Sequence, residues 1–378
     1  MPTFDRYLLQ LFTKVLLVCF VSITGLYIVI DAFNNLDEFL VYGREEGSLF
    51  AVLTEYYSAR VPWFFDRTGG LLALIAAMFA VTWLQRTQEL TALLAAGIPK
   101  GRIVRMLIVS AAVISGLGVA NRELLIPRLR ERLSRNAQDW RGESARRVEP
   151  VRDNQNEILL NGQHTYASQR RIEMPSILFD QPAPGFGQQI LAREAFYRDP
   201  EGDRPRGYLL VEVQEPEDVS QVPSLFVEKR PVVLSPHDTP WLEANQCFVA
   251  SNIDFQQLAG GSLWRRLSST PELVVGLRNP SLDFGLDAKV TIHSRVVQPF
   301  LDMTLFFLGL PLVLTRNNRN IFLAAGMCLL VVMLFMLVVT GCQALGDRGY
   351  LLSPSLAAWF PLIVFAPLAT AAAHPVFE

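Results

Sequence analysis

The stretch "TGGLLALIAAMFAVTWLQRTQELTALLAAGIPKGRIVRMLIVSAAVISGLGVA", residues 68 to 120, holds two apolar runs joined by a short polar connection. A hydrocarbon core about 30 Å thick needs about 20 mostly apolar helical residues to cross it. Both runs come near that length, so the stretch reads as two membrane spans, over about 63–84 and 103–123, with a turn between them. A connection that only reversed the chain would need a few polar residues and a glycine. This one is amphipathic: Leu84, Leu90, Leu93 and Leu94 can share one helical face with Arg86 and Glu89 beside it. Gly97 and Pro99 come next as helix-ending residues. The spacing predicts a short helix over about 86–96 at the membrane surface. Two readings fit it, an interfacial helix whose leucines touch lipid and a docking helix for a cytoplasmic partner such as an ATPase subunit. Spacing alone does not choose between them.

Four more apolar runs extend the pattern, at about 14–33, 297–315, 321–343 and 354–373. The first, "VLLVCFVSITGLYIVI" (15–30), is followed by "DAFNNLDEF" rather than a small-x-small cleavage site, and reads as a retained span. The fourth span, "PFLDMTLFFLGLPLVL", is interrupted by Asp302 and Pro311, which neighbouring helices can tolerate. If the N-terminus is cytoplasmic, the inner short segments carry Arg6, Lys14, Arg86, Lys100, Arg102, Arg105, Arg316 and Arg319. The outer short loops then carry only Arg44, Arg60 and Arg348. That asymmetry places both termini inside and the long central segment outside.

The central segment, about 125–296, reads as β-rich. "EILLNGQHTYASQ", "QILAREAFYRD", "GYLLVEVQ", "SLFVEKRPVVLS" and "QCFVASNIDFQQL" are short runs rich in Val, Leu, Phe and Tyr, separated by clusters such as "DQPAPGFGQQ" and "DPEGDRPRG". Repeated short strands with turn signals predict a sandwich or jellyroll. Before them, "RELLIPRLRERLSRNAQDW" has helical spacing and predicts an arginine-bearing stalk continuing the third span. The expected architecture is membrane α-helical, three spans plus three, with an inserted all-β jellyroll-like domain. Its segments are 1–124, 125–296 and 297–378.

Composition agrees with a mixture of spans and one aqueous domain: 51% of the residues are hydrophobic and mean hydropathy is +0.26. A net charge of -2 with no long basic tract gives no sign of a nucleic-acid partner. Cys19, Cys328 and Cys342 lie in apolar runs and Cys247 alone in the polar middle, so no disulfide framework or CxxC pattern emerges. His164, His237, His293 and His374 are scattered, no HExxH occurs, and no metal or other cofactor is expected. No GxxxxGK[ST] and no GxSxG is present, so energy for any active process has to come from a partner. Asp66 and Arg67, near the outer end of the second span, can pair with each other, pair with another span, or reach water. A carboxylate inside a span is costly unless partnered, which makes Asp302 a further candidate.

The order of three spans, β domain and three spans, together with "LQRTQELTALLAAGIPKGRI", resembles the LptF/LptG (YjgP/YjgQ) permease family. The family pattern in this loop, R-x-x-E-L-x-x-L-x-A-x-G, is matched by Arg86, Glu89, Leu90, Leu93, Ala95 and Gly97. "LLIPRLRERLSR" resembles the family's proline-bearing exit from the third span, and "HSRVVQPFLDMTLFFLGLPLVLTRNNR" its fourth span. The resemblance implies an inner-membrane permease, not itself an enzyme. It implies pairing with a second LptF/LptG-type permease on an LptB-like ATPase dimer, and passage of lipopolysaccharide towards LptC-like and LptA-like periplasmic proteins. It also makes 86–96 the coupling helix, with Glu89 at the ATPase contact, and spans one and five the gate between subunits. The outer end of the first span departs from the family, reading "DAFNNLDEFL", acidic where members often carry lysines. Positive charge for a phosphorylated headgroup would come from Arg44, Arg60, Arg67 or the stalk arginines, and a different anionic or neutral lipid is an alternative. Two rival functions are a mechanotransmission permease driving an extracytoplasmic effector and a membrane-anchored enzyme.

Overall fold

The computed structural model describes residues 3–377 apart from 46, 138–145, 203, 228, 283, 315–320 and 350. Arg316 and Arg319, counted above as inner charges, therefore lie outside the described residues. The chain divides into two compact units, Met1–Leu129 with Gly285–Glu378, and Arg130–Phe284.

The first unit is helical: α1 (Thr3–Asn34), α2 (Leu36–Glu45), α3 (Leu49–Arg86), α4 (Glu89–Ala95), α5 (Lys100–Ala120), α9 (Gly285–Leu314), α10 (Ile321–Arg348) and α11 (Pro354–Phe377). Among the described residues, six helices are long and apolar enough to cross a membrane: α1, α3, α5, α9, α10 and α11. At 1.5 Å per residue, the 38 residues of α3 span about 57 Å, well beyond the hydrocarbon thickness. Its early part packs Tyr56 and Tyr57 around Phe39 of α2, with Tyr56 edge-on to both rings. The later part of α3 is central to the unit. Ala73, Ala76, Ala77 and Ala80 recur at helical spacing and are buried, and such small residues let neighbouring backbones approach closely. Gly309 of α9 gives the same closeness, because a Cβ there would stand 2.6 Å from a methyl of Leu74. By contrast α1 and α10 leave long apolar faces uncovered, including Leu17, Val18 and Val21 on one and Met333 and Leu337 on the other.

The fourth span differs from its sequence reading. Pro299 and Pro311 both lie inside α9, yet the helix is continuous from Gly285. Residues 285–296, read as the end of the β domain, are thus its first turns. Beyond the third span, where a stalk is expected, α5 passes into a π turn (Asn121–Leu125), a 3-10 turn (Pro127–Leu129) and the five-residue α6 (Arg130–Ser134).

Among its described residues the second unit carries 11 strands: β1 (Arg146–Arg147), β2 (Val151–Asp153), β3 (Ile158–Asn161), β4 (His164–Tyr166), β5 (Arg171–Glu173), β6 (Ser176–Ala183), β7 (Gly187–Arg198), β8 (Gly207–Glu215), β9 (Leu225–Val227), β10 (Arg230–Leu234) and β11 (Gln246–Ala250). They pair antiparallel in the order β1-β4-β5-β7-β8-β11-β10-β9, with β2, β3 and β6 joined to that path through β7. The core is formed by Ile158, Ile177, Ile190, Tyr208, Leu210, Val233 and Val249 among others. Two runs read as single strands are each split in two, β3 from β4 and β9 from β10. The run from Gln246 is a strand only to Ala250. Two helices that the β-rich reading missed come after it, α7 (Phe255–Leu267) and α8 (Thr270–Arg278). Both begin with a capping box, Asp254 with Gln257 and Ser269 with Glu272.

Apart from the buried Nε atoms of Arg171 and Arg204, which have no hydrogen-bond partner, polar burial in this unit is met by specific contacts. The Tyr208 hydroxyl donates to the Ile253 carbonyl at 3.0 Å. Asp153, 0% exposed, accepts from the Ser251 hydroxyl at 2.6 Å and from the Gln155 and Asn156 backbone N–H groups at 3.0 and 3.2 Å. Removing that acceptor strands three donors. Asp153→Ala is expected to cost about 3 kcal/mol of stability, read by scanning calorimetry of the full chain in detergent. Asp153→Asn keeps one acceptor oxygen and should lose less than half as much.

Candidate functional site

The connection between α3 and α5 is built around a break in helical phase. Helix α3 ends at Arg86, and Gln88 adopts a left-handed conformation (φ 59°) before α4 starts at Glu89. Arg86 and Leu84 therefore belong to α3, not to the short helix, which corrects the single run expected over 86–96. Leu84 still packs in the same core as Leu90 and Leu93, but Leu94 does not share that face. Leu90 and Leu93 turn inward onto the packed spans, whereas Leu94 is 38% exposed. Thr91, Ala92 and Ala95 are exposed or nearly so around it, leaving a small-residue outer surface on α4.

The end of α4 is closed by a Schellman arrangement. The Ile98 N–H donates to the Leu93 carbonyl at 3.0 Å and the Gly97 N–H to the Leu94 carbonyl at 3.1 Å. Gly97 supplies the left-handed φ of +82° that this closure needs. Pro99 then caps α5 in extended conformation, so it opens the next helix rather than ending α4 alone. Polar ties hold the whole turn. The Tyr7 hydroxyl of α1 lies beside the Glu89 carboxylate. Arg102 of α5 grips Asp5 of α1 through two hydrogen bonds at 3.3 and 3.4 Å. The Gln85 amide donates to the Val313 carbonyl of α9 at 2.9 Å. Displacing α4 therefore loads α1, α3, α5 and α9.

At the other end of the spans, Asp66 pairs with Arg122 of the π turn at 2.8 Å, each side chain 17% exposed. It does not pair with its neighbour Arg67, whose guanidinium stands 5.1 Å from the Trp63 ring centroid. Arg60 covers the Tyr56 ring at 3.4 Å, and Arg44 is exposed in the last turn of α2. Asp302 accepts from Ser115 of α5 at 3.1 Å and from Gln298, one turn earlier on α9, at 2.9 Å. Of the five residues read as candidate headgroup contacts, Asp66 and Asp302 lie near each other around Arg122, whereas Arg44, Arg60 and Arg67 sit on α2, on Tyr56 and by Trp63. The acidic stretch beyond the first span contributes Asp31, whose carboxylate accepts from the Tyr57 hydroxyl at 2.8 Å. Sequence reasoning misses Tyr7, Asp5, Ser115 and Gln298, and offers Arg122 only among the stalk arginines and Asp31 only within the acidic stretch. Nothing in their local pattern marks them, because most act through a partner far away in sequence.

The β unit has a cleft of about 610 Å³ lined by Arg130, Tyr197, Arg206, Asp254, Trp264 and Glu272 among others. Its charges are engaged with one another. Asp254 accepts from Tyr197 at 2.8 Å and pairs with Arg206 at 3.0 Å, and Arg130 lies 3.6 Å from Glu272. Burial and the hydrogen bond to Asp254 push the Tyr197 hydroxyl well above its ordinary range, so its proton stays in place at neutral pH. Among the described residues no group of three or more His, Cys, Asp or Glu is placed to hold a metal ion.

The chain matches the family described as lipopolysaccharide export system permease LptF/LptG over residues 6–201 and 267–373, and it belongs to that family. The unmatched stretch, 202–266, falls in the β unit. No curated protein sequence matches the chain. Membership and the six apolar helices make it a multi-pass inner-membrane protein of a transporter-permease family.

Arg122→Met would leave Asp66 half-buried without its partner and is expected to cost about 3 kcal/mol. Thermal unfolding in detergent checks this, and the added change Asp66→Asn should recover at least half of the loss.

Proposed function

We propose that this chain is the permease half of an ABC transporter that lifts lipopolysaccharide or a related glycolipid from the inner membrane towards a periplasmic bridge. A separate LptB-like ATPase dimer supplies the energy, and a second LptF/LptG-type permease completes the lipid cavity. LptC-like and LptA-like proteins receive the lipid from the β unit, which lies on the periplasmic side with both termini cytoplasmic. Among the described residues, Arg6, Lys14, Arg86, Lys100, Arg102 and Arg105 support that orientation against Arg44, Arg60 and Arg348.

The observation that carries the reading is α4 itself. A free interfacial helix would turn its leucines to lipid. Here Leu90 and Leu93 are engaged in the chain's own core, and the outward surface of Thr91, Ala92, Leu94 and Ala95 suits a shallow contact with a protein. Glu89 sits between the two roles, half-buried and beside the Tyr7 hydroxyl. When the ATPase pair closes, force on α4 enters α3 and α5 directly and reaches α1 and α9 through Asp5–Arg102 and Gln85–Val313. The uncovered apolar faces of α1 and α10 support a gate between two such subunits. The acid–phenol pair Asp31–Tyr57 at the outer end of α1 favours a headgroup less anionic than one read by lysines.

The test is co-purification from detergent-solubilised membranes. Wild type should bring down an ATPase subunit and a second permease with bound glycolipid. Glu89→Arg and the outward-facing Ala92→Arg should each reduce ATPase recovery about tenfold while leaving the permease pair intact, a loss of roughly 1.4 kcal/mol in binding. Failure of the wild type to retain an ATPase under gentle conditions would remove the coupling role from α4.

A further inference from the structure

Asp302 is a candidate residue whose placement the proposed transport cycle leaves unexplained. It lies within a membrane helix, where an apolar side chain would pack without the cost of desolvating a carboxylate. Its surroundings are built to receive it. Gly70 of α3 leaves its Cα bare beneath the carboxylate, and a Cβ there would stand 2.6 Å from Oδ1 and 2.7 Å from Cγ of Asp302. The Ser115 hydroxyl of α5, on a buried residue, donates to Oδ2, and the Gln298 amide donates to Oδ1. One side chain on α9 therefore meets α5 through a hydrogen bond and α3 through a notch that only glycine leaves open. Both of these hydrogen-bond donors are neutral; the nearby Arg122 is already bonded to Asp66.

Other ties fix the same helices elsewhere along their length. Gln85 of α3 holds the Val313 carbonyl of α9, fifteen residues and about 22 Å along α3 from Gly70. On the outer side, Asp66–Arg122 and the Asn121 amide on the Pro62 carbonyl, at 2.8 Å each, join α3 to the end of α5. Two helices bonded at two separated levels cannot slide or turn against each other without breaking one of the contacts. Of these contacts, the Asp302 cluster is the one that engages all three helices at once.

We propose that Asp302 is a positioning residue: seated on Gly70 and bonded by Ser115 and Gln298, it keys α3, α5 and α9 into one rigid piece, so that displacement of α4 moves the three together. The transmission part rests on the reading of α4 given above; the keying itself does not. The role is one of shape and hydrogen bonding rather than charge. An asparagine in place of Asp302 could satisfy the same partners, since a serine hydroxyl both donates and accepts and the Gln298 amide can turn over.

Two measurements test it. The first uses the full chain alone in detergent, comparing melting temperatures of wild type, Gly70→Ala, Asp302→Ala and the double variant. Gly70→Ala should lower the melting temperature by about 4 °C in the wild-type background and by about 1 °C or less once Asp302 has been truncated, because contacting residues couple. Equal losses in both backgrounds would overturn the keying. The second uses the chain co-purified with its ATPase in proteoliposomes, measuring ATP hydrolysis and lipid release separately. Asp302→Ala should keep hydrolysis within about twofold of wild type while release falls about tenfold, and Asp302→Asn should restore release to within about threefold. A parallel fall of both activities in Asp302→Ala, or an Asp302→Asn variant as poor as Asp302→Ala, would overturn the proposal. Should wild type bind no ATPase, the reading of α4 fails and the transmission with it, while the melting comparison still decides the keying.

Discussion

Hydrocarbon offers no hydrogen-bond partners, and that constraint shapes the membrane unit of this protein more than any single contact. Backbone groups are met within helices, and polar side chains must find partners from neighbouring helices. The structure obeys this at three polar positions, though the buried Thr24 hydroxyl of α1 has no hydrogen-bond partner. Asp66 has Arg122, Asp302 has Ser115 and Gln298, and Gln85 has the Val313 carbonyl. Lipid does not drive helices together by the hydrophobic effect, so close packing has to contribute as well. The alanines of α3 and the Gly309–Leu74 contact provide it, which is why α3 and α9 are the buried middle of the unit. The helices α1 and α10, with fewer such features, keep apolar faces open for lipid or for a second subunit.

Dependence on neighbours also explains α4. A seven-residue helix is too short to be stable alone in water. Its existence depends on the Leu90 and Leu93 contacts and the Schellman closure at Gly97. A helix held by its neighbours in this way follows them, and they follow it. That reciprocity is the physical content of a coupling element. It requires that the spans move as packed bodies rather than bend one by one, and the cross-helix polar bonds supply that stiffness.

The spans are legible in the sequence because membrane thickness sets a length that few other structures need. The continuous fourth span is harder to see, since Asp302, Pro299 and Pro311 each argue locally against a helix and only packing overrides them. In the loop, the spacing places Glu89, Leu90, Leu93 and Gly97 correctly on or beside a short helix, but the left-handed Gln88 is invisible to periodicity. Leu94 is therefore read onto a face it does not share with Leu84, Leu90 and Leu93. In the β unit, composition exposes the strands and turns. It hides α7 and α8, although the capping patterns Asp254 to Gln257 and Ser269 to Glu272 are available as signals. The partners that Asp66 and Asp302 find on α5 and its π turn cannot be read at all. Arg122 and Ser115 lie 56 and 187 residues away, and pairing over such distances is a property of the folded chain.

The central claim is that this chain moves a glycolipid when an ATPase acts on α4. The most direct measurement is transfer of radiolabelled lipopolysaccharide from proteoliposomes holding the purified complex to a periplasmic acceptor, with and without ATP. The account predicts release that requires ATP and is lost in Glu89→Arg although the same amount of chain is present. Release independent of ATP, or unaffected by that substitution, would contradict it.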